Sequence, residues 1–374
     1  MPNVRPLSEA FTARLVGQSW NTYKESLGLP PYLGRSYFGT NKQRSLDLGF
    51  IKGQKGLPVA LKASAFDAQA PLRDGITFKT IQNEMPFFRE SFMISERQRK
   101  DYDTFLNSTN IEDAESVLNR IIVQPLDLIK GANVVPERMI WQLMAPADGI
   151  PRIKVAIDGD ATNKAYYVDY TSDSGSAYKT TNFMEIRTDA SKWSAPSTAT
   201  PIADLVSART QHRNNTGEVL STFIMNDTTW QAFCSAVDTK KQVVGATAYT
   251  NGQVPTEEQT KAFMREAYRI NILVYGSMYM DESGVSKTFI PDYIVTALPS
   301  NITTLGTVWY STTPEEDSGN TEIGDLAIVE TGVAVYSYVK PHPVQYHCVV
   351  SEIVLPSYEN MDSVFVMKVG GVNL

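Results

Sequence analysis

Between Ser108 and Pro146 the chain reads STNIEDAESVLNRIIVQPLDLIKGANVVPERMIWQLMAP, and this stretch limits the fold more than any other. Thr109 and Glu112 have the spacing of a capping box, in which a hydroxyl and a carboxylate satisfy the free amides of a helix start. Asp113 and Glu115 add negative charge where the helix dipole is positive. Val117, Leu118, Ile121 and Ile122 recur at helical spacing and predict one buried stripe. Val134, Met139, Ile140 and Leu143 continue an apolar face after Gly131. Pro125 stands in the middle. It has no N–H and its ring crowds the preceding turn, so a kink or a restart is predicted there.

The segments before this helix have a different character. Residues 5–27 predict an amphipathic helix on Leu7, Phe11 and Leu15. Residues 26–58 are rich in Gly and Pro and hold no period, which predicts an extended arm whose backbone groups need partners elsewhere. Leu57, Val59, Leu61, Ala63 and Ala65 alternate as on one strand face, and Ile76, Phe78 and Thr80 begin a second alternating run. Between them DAQAPLRDG (Asp67–Gly75) carries turn residues and charge. The expectation is a long hairpin with a charged tip. A lone two-stranded hairpin is marginal in water and needs a neighbour.

After the helix, PRIKVAIDGDATNKAYYVDY predicts strand, turn and strand, with Asp158, Gly159 and Asp160 at the turn. Pro201–Arg213 predicts a helix, and STFIMNDTTWQAFCSAV a strand running into a helix. Thr256 and Gln259 form a second capping box, before a helix with Phe263, Met264, Ala267 and Tyr268 inward. INILVYGSMYM and SKTFIPDYIVTAL predict strands joined through DESG. Ser311–Asp325 reads as a flexible acidic loop. Short strands, including YHCVVSEIVL and SVFVMKVGG, fill the last fifty residues. Strands and helices alternate irregularly, without a βαβ rhythm, which predicts an α+β fold.

A catalytic constellation is hard to assemble from these residues. The chain has three histidines and two cysteines in 374 residues, a small supply for metal, triad or disulfide chemistry. Phosphate-binding glycine patterns, a nucleophile elbow and zinc-ligand spacings are all missing from the sequence. In HPVQYHC, His347 and Cys348 are adjacent strand residues that point to opposite faces, so they make poor co-ligands. DGD could offer calcium hard oxygens, but Asp-Gly is also what a tight hairpin turn requires. Glu257–Glu258 suits the start of a helix, and Glu315–Glu316 a solvated loop. The net charge of −7 argues against a phosphate-binding surface. ERQRK (Glu96–Lys100) reads as a solvated face, and Phe87–Phe88 with Arg89 as a strand edge packed on a neighbour. No apolar run approaches a membrane span, and MPNVRPLSEAF lacks a signal core.

The order of elements resembles the major capsid proteins of tailed bacteriophages, the lambda-type (E-like) major head protein family, with its α+β, Hong Kong 97-like phage capsid fold. The resemblance is a pattern of elements across nearly the whole chain. It is carried by ERMIWQLMA in the helix, by TATPIADLVSARTQ followed by STFIMNDTTWQAF, and by LPSYENMDSV near the end. It implies an N-terminal arm at 1–56, an extended loop at 57–95, a spine helix and peripheral domain at 96–200, an axial domain at 201–335 and a return to the peripheral domain at 336–374. It further implies a non-enzymatic structural protein, without cofactor or membrane. Such a protein assembles as hexamers and pentamers into an icosahedral shell that encloses DNA without specific binding. The expected partners are copies of itself, a separate scaffolding protein, a portal and a decoration protein. The expected location is the virion, after assembly in the host bacterial cytoplasm. Intersubunit contacts are expected from the extended loop: Asp67, Arg73 and Asp74 setting register by charge, Phe78, Phe87 and Phe88 burying on a neighbour, and Lys79 and Arg89 beside them. A tail-tube or head-decoration subunit, and an enzyme with scattered carboxylates, remain the alternatives.

Overall fold

A computed structural model describes residues 11–27, 32–52, 79–106, 111–157, 160–171, 176–186, 188–319 and 324–371. In chain order, helix α1 (Ala13–Leu27) precedes a 3-10 turn at Gly34–Tyr37 and strands β1 (Phe38–Gln43), β2 (Asp47–Lys52), β3 (Lys79–Glu84) and β4 (Phe87–Ile94). Helices α2 (Glu96–Leu106) and α3 (Ile111–Met144) lead into β5 (Arg152–Ile157) and β6 (Asp160–Asp169). Then come α4 (Ser176–Asn182), β7 (Phe183–Glu185), α5 (Pro201–Thr216), β8 (Leu220–Met225), α6 (Asp227–Ser235), α7 (Val237–Val244), α8 (Ala246–Thr250) and α9 (Glu257–Tyr268). The remainder is β9 (Asn271–Val274), β10 (Met278–Met280), β11 (Ser286–Thr288), β12 (Ile294–Pro299), β13 (Gly306–Ser311), α10 (Pro314–Ser318), β14 (Gly324–Glu330), β15 (Val333–Pro341), β16 (Val344–Pro356) and β17 (Phe365–Lys368).

The chain divides into two units, each assembled from distant stretches of sequence. The first holds residues up to Leu48 together with Gln82–Arg138 and Thr307–Ser357. Its six-stranded sheet runs β1-β13-β16-β15-β14, and β4 also pairs with β16. β16 meets three strands: β15 over Val344–Glu352, β4 over Tyr346–Ile353 and β13 over Ile353–Pro356. Phe11, Val16 and Trp20 pack with Leu126 and Ile129 of α3 and with Val333, Val335, Cys348 and Val350 of the sheet. The buried stripe of α1 is therefore Ala13, Val16 and Trp20. The predicted stripe lay one register away. Phe11 is buried but precedes the helix, Leu15 is half-exposed, and Leu7 lies outside the described residues.

The 26–58 stretch finds part of its backbone pairing within the chain. β1 joins the sheet beside β13, and β2 pairs with β3. The expected strand at 57–66, and Ile76 and Phe78 of its partner, lie outside the described residues.

The long helix is one element. α3 passes through Pro125 and a second proline, Pro136, without a break. Both prolines are buried. Packing on that face, with Leu126 and Ile129 beside Pro125, holds the helical path where the missing N–H removes one backbone bond.

The second unit comprises Gly49–Ile81, Met139–Gly306 and Tyr358–Leu374. Its five-stranded sheet runs β7-β17-β12-β8-β9. β17 and β8 flank β12 antiparallel, whereas β8–β9 and β17–β7 are parallel pairs. The parallel β8–β9 pair is connected through α6 to α9, a crossover that the irregular rhythm of the sequence did not announce. Trp193, Leu205, Phe223, Trp230, Phe233 and Phe365 anchor this core. Trp193 donates its indole N–H to Asp204 at 2.9 Å, which lets a large ring sit fully buried.

Local signals set the boundaries here. α5 ends at Gly217, whose positive φ of 80° lets its N–H turn back to the Arg213 carbonyl. Asn226 caps α6 by accepting from Thr229 N at 2.9 Å. The Thr256–Gln259 capping box of α9 is formed on both sides. Met264 is buried there and Phe263 and Tyr268 are half-buried, but Ala267 faces solvent, a correction to the predicted inward face. Ile153, Val155, Val168 and Tyr170 form the buried side of the β5–β6 hairpin.

Candidate self-association surface

β2 and β3 form a separate two-stranded sheet. They bring Lys52 and Lys79, the two ends of residues 53–78, to one place in the fold. Asp67, Arg73, Asp74 and Phe78 fall within that segment, outside the described residues, and Lys79 opens β3. The paired strands thus begin ten residues earlier in the sequence than the predicted hairpin did. Asp47-Leu-Gly-Phe-Ile-Lys52 carries a glycine and two charges, and its weak alternation hid it.

Phe87, Phe88 and Arg89 open β4, opposite Ile353, Glu352 and Ser351 of β16. Phe87 is 40% exposed. The Arg89 guanidinium stands 4.7 Å over its ring, and Arg89 Nε lies 3.4 Å from Glu315 Oε1. Glu315 Oε2 also accepts the Ser351 hydroxyl at 2.8 Å. Glu316 next to it takes Lys42 Nζ at 2.6 Å. These carboxylates were expected in a solvated loop. Instead they belong to α10, which Thr313 caps and Pro314 starts. The run Thr-Pro-Glu-Glu is itself a helix-start signal that the loop reading passed over.

The turn at Gly34–Tyr37 is held by α3. Glu137, fully buried, accepts the Gly34 N–H at 2.8 Å and the Arg35 N–H at 3.0 Å. The Arg35 guanidinium donates to Asn133 Oδ1 at 3.2 Å and to the Asn133 carbonyl at 2.8 Å. A carboxyl group receiving two backbone amides holds the turn by two direct contacts. No local motif in the sequence pairs residue 34 with residue 137.

Glu352 on β16 is also buried. Burial pushes its carboxyl up to about 8. The Glu330 charge adds to that rise, while the Arg35 guanidinium opposes it. Cys348 and Cys234 are free thiols, each pushed up to about 12 chiefly by burial. His347 stacks flat on Tyr338 at 4.9 Å, and His212 meets the Phe365 ring edge-on at 5.8 Å. Glu257 and Glu258 lie in the first turn of α9, as the helix dipole favours. Among the described residues no group of three or more His, Cys, Asp or Glu could hold a metal ion. Among them also, no helix is long and apolar enough to cross a membrane.

The β10–β11 hairpin forms through DESG as the sequence predicts, but its bare apolar side is a feature that sequence reasoning missed. Met278, Met280 and Val285 are 59%, 69% and 52% exposed on it, while Tyr279 packs on Phe289 at 4.9 Å. The short strands were legible, but which side would be left bare was not.

Comparison with known proteins gives these features a family. In structure, the chain is similar to a phage-related protein of Bordetella bronchiseptica RB50, with a TM-score of 0.51, 11% identity and 96% of each chain covered. It also aligns with the capsid protein of Myoviridae phage XM1, with a TM-score of 0.41, 12% identity and 92% of each chain covered. Among curated proteins none matches the sequence. The family model for phage major capsid protein E matches residues 12–369. The chain therefore belongs to the phage major capsid protein E family and has its α+β, Hong Kong 97-like capsid fold.

Proposed function

We propose that the extended loop between β2 and β3 joins one copy of this chain to the next, and that the protein works by assembly and not by catalysis. It is a structural major capsid protein of a bacteriophage virion, and its copies form the hexamers and pentamers of an icosahedral shell around the phage DNA. The observation that carries the loop reading is the pairing of β2 with β3, which sets both ends of residues 53–78 side by side on a sheet that has two strands among the described residues. Such a ribbon gains stability from a surface outside itself. In this reading Asp67, Arg73 and Asp74 set register against a neighbouring copy. Phe78, Phe87 and Phe88 bury on it, and Lys79 and Arg89 flank that contact. Many weak identical contacts then hold the shell by multiplicity.

The boundaries given above for arm, loop, spine, axial domain and return belong to the same proposal. So do a separate scaffolding protein, a portal, a decoration protein and assembly in the host bacterial cytoplasm. The net charge of −7 supports a container wall that does not hold DNA. Electron microscopy of the purified full chain, with and without co-expressed scaffold, tests the reading. Icosahedral shells whose size depends on the scaffold are expected. Tubes or small uniform oligomers would overturn the assembly assignment, and correctly sized shells from the chain alone would overturn the need for a scaffold.

A further inference from the structure

Two adjacent carboxylates of α10 hold the strands that lead into and out of the β2–β3 ribbon. Glu316 receives Lys42 Nζ on both of its oxygens, at 2.6 and 2.7 Å. Lys42 stands in β1, just before β2 in the chain. Glu315 receives Arg89 Nε on Oε1 at 3.4 Å, and Arg89 stands in β4, just after β3. The Ser351 hydroxyl takes the other Glu315 oxygen at 2.8 Å, and Ser351 is the residue opposite Arg89 in the β4–β16 ladder. Glu315 is therefore fixed to the sheet at two points.

The local sequence explains how two neighbours in the chain serve two strands. Thr313 caps α10 by accepting the Glu316 N–H at 3.3 Å, and Pro314 sets its first turn. Successive side chains on a helix diverge by about 100°, so Glu315 and Glu316 face different partners. Between the two ion pairs the roots of the ribbon are joined to each other. The Met85 N–H donates to the Leu46 carbonyl at 2.8 Å. The Gln43 amide donates to the Ser45 and Asp47 carbonyls at 3.1 Å each. Both roots thus form one hydrogen-bonded joint, with α10 gripping the strand on each side of it.

We propose that α10 is a clasp on the extended loop: Glu316 through Lys42, and Glu315 through Arg89, hold the two roots of the β2–β3 ribbon and fix the point from which it reaches a neighbouring copy. Both glutamates are positioning residues. An isolated pair on the surface contributes little. Here the Lys42 and Glu316 side chains are only 28% and 24% exposed, and Glu315 is 11% exposed. One short helix carries both carboxylates, so neither root can open without losing its hold on the same element. The clasp belongs to the single chain. Its consequence for assembly rests on the loop reading above.

Hydrogen exchange on the unassembled full chain tests the clasp. In the double variant Glu315→Gln, Glu316→Gln, the Met85 amide and the β2–β3 ladder should exchange about fivefold faster, while the β14–β15 ladder keeps its wild-type rate. Reversing one pair, Lys42→Glu with Glu316→Lys, should bring the root amides back towards the wild-type rate, whereas Glu316→Lys alone should not. In the wild type, raising salt from about 0.05 to 0.5 M should speed the same amides about twofold, a readout that needs no substitution and stands even if a variant fails to fold. Root amides unmoved by the double variant or by salt, equal acceleration in β14–β15, or a reversed pair no better than Glu316→Lys alone would each overturn the clasp. Shell yield then separates the two readings. Faster roots with fewer shells support both, and faster roots with normal yield keep the clasp and overturn the loop reading.

Discussion

Glu137, fully buried on α3, accepts the backbone N–H of Gly34 at 2.8 Å and so ties the long helix to the turn that precedes β1. Hydrogen bonds to a buried charged group contribute roughly 1.5–3 kcal/mol. Glu137→Ala removes two of them and leaves the Gly34 and Arg35 amides without acceptors. The expected loss is about 3 kcal/mol in chemical denaturation. Glu137→Gln, which keeps an acceptor oxygen, should lose less.

Glu352 predicts the opposite sign. Its folded value is about 8 against an ordinary 4.5. Between those values the folded chain holds a proton that the unfolded chain has released, so stability should fall as pH rises from 4.5 to 8. Glu352→Gln should flatten that slope and raise stability at pH 8 by about 1–3 kcal/mol. Urea midpoints at pH 5 and pH 8 for both proteins check this. An unchanged slope would count against a neutral buried Glu352.

Charge reversal at Arg73 addresses the loop. Like charges brought together across an interface cost several kcal/mol. Arg73→Glu should therefore cut shell yield by about tenfold or more while the subunit stays soluble with unchanged circular dichroism. Sedimentation and negative-stain microscopy give the two readouts. Normal particle yield would remove Arg73 from the contact.

The cysteines give a chemical prediction. Alkylation requires the thiolate, and burial raises both Cys234 and Cys348 to about 12. At pH 8 both should resist iodoacetamide in the folded chain and react rapidly in urea. Mass spectrometry of the labelled peptides distinguishes them, and Cys348, fully buried, should be the slower of the two.

How far these features could be read from the sequence depended on how local their causes are. The Thr256–Gln259 capping box, the pairing of β5 with β6 and the strand into helix at Asn226 were all visible, because each is fixed by residues a few positions apart. Pro125 does not restart the helix, because its local cost is outweighed by packing around Leu126 and Ile129. The acidic run after Thr313 misled because composition was read ahead of capping. The Glu137–Gly34 contact, the Arg89–Glu315 pair and the meeting of β4 with β16 join residues far apart in the chain, and no period or motif encodes them. Of the expected loop contacts, only Phe87, Phe88 and Arg89 have described side chains. Arg89 directs its charge to a residue of its own chain.

β16 meets β15, β4 and β13, and all three are made before it. During synthesis β4 must therefore wait, with its ladder unmade, until β16 leaves the ribosome. A truncated nascent chain lacks the strand on which this unit closes. The order of synthesis thus acts as a clock: a subunit cannot present a finished sheet to its neighbours until β16 has been translated.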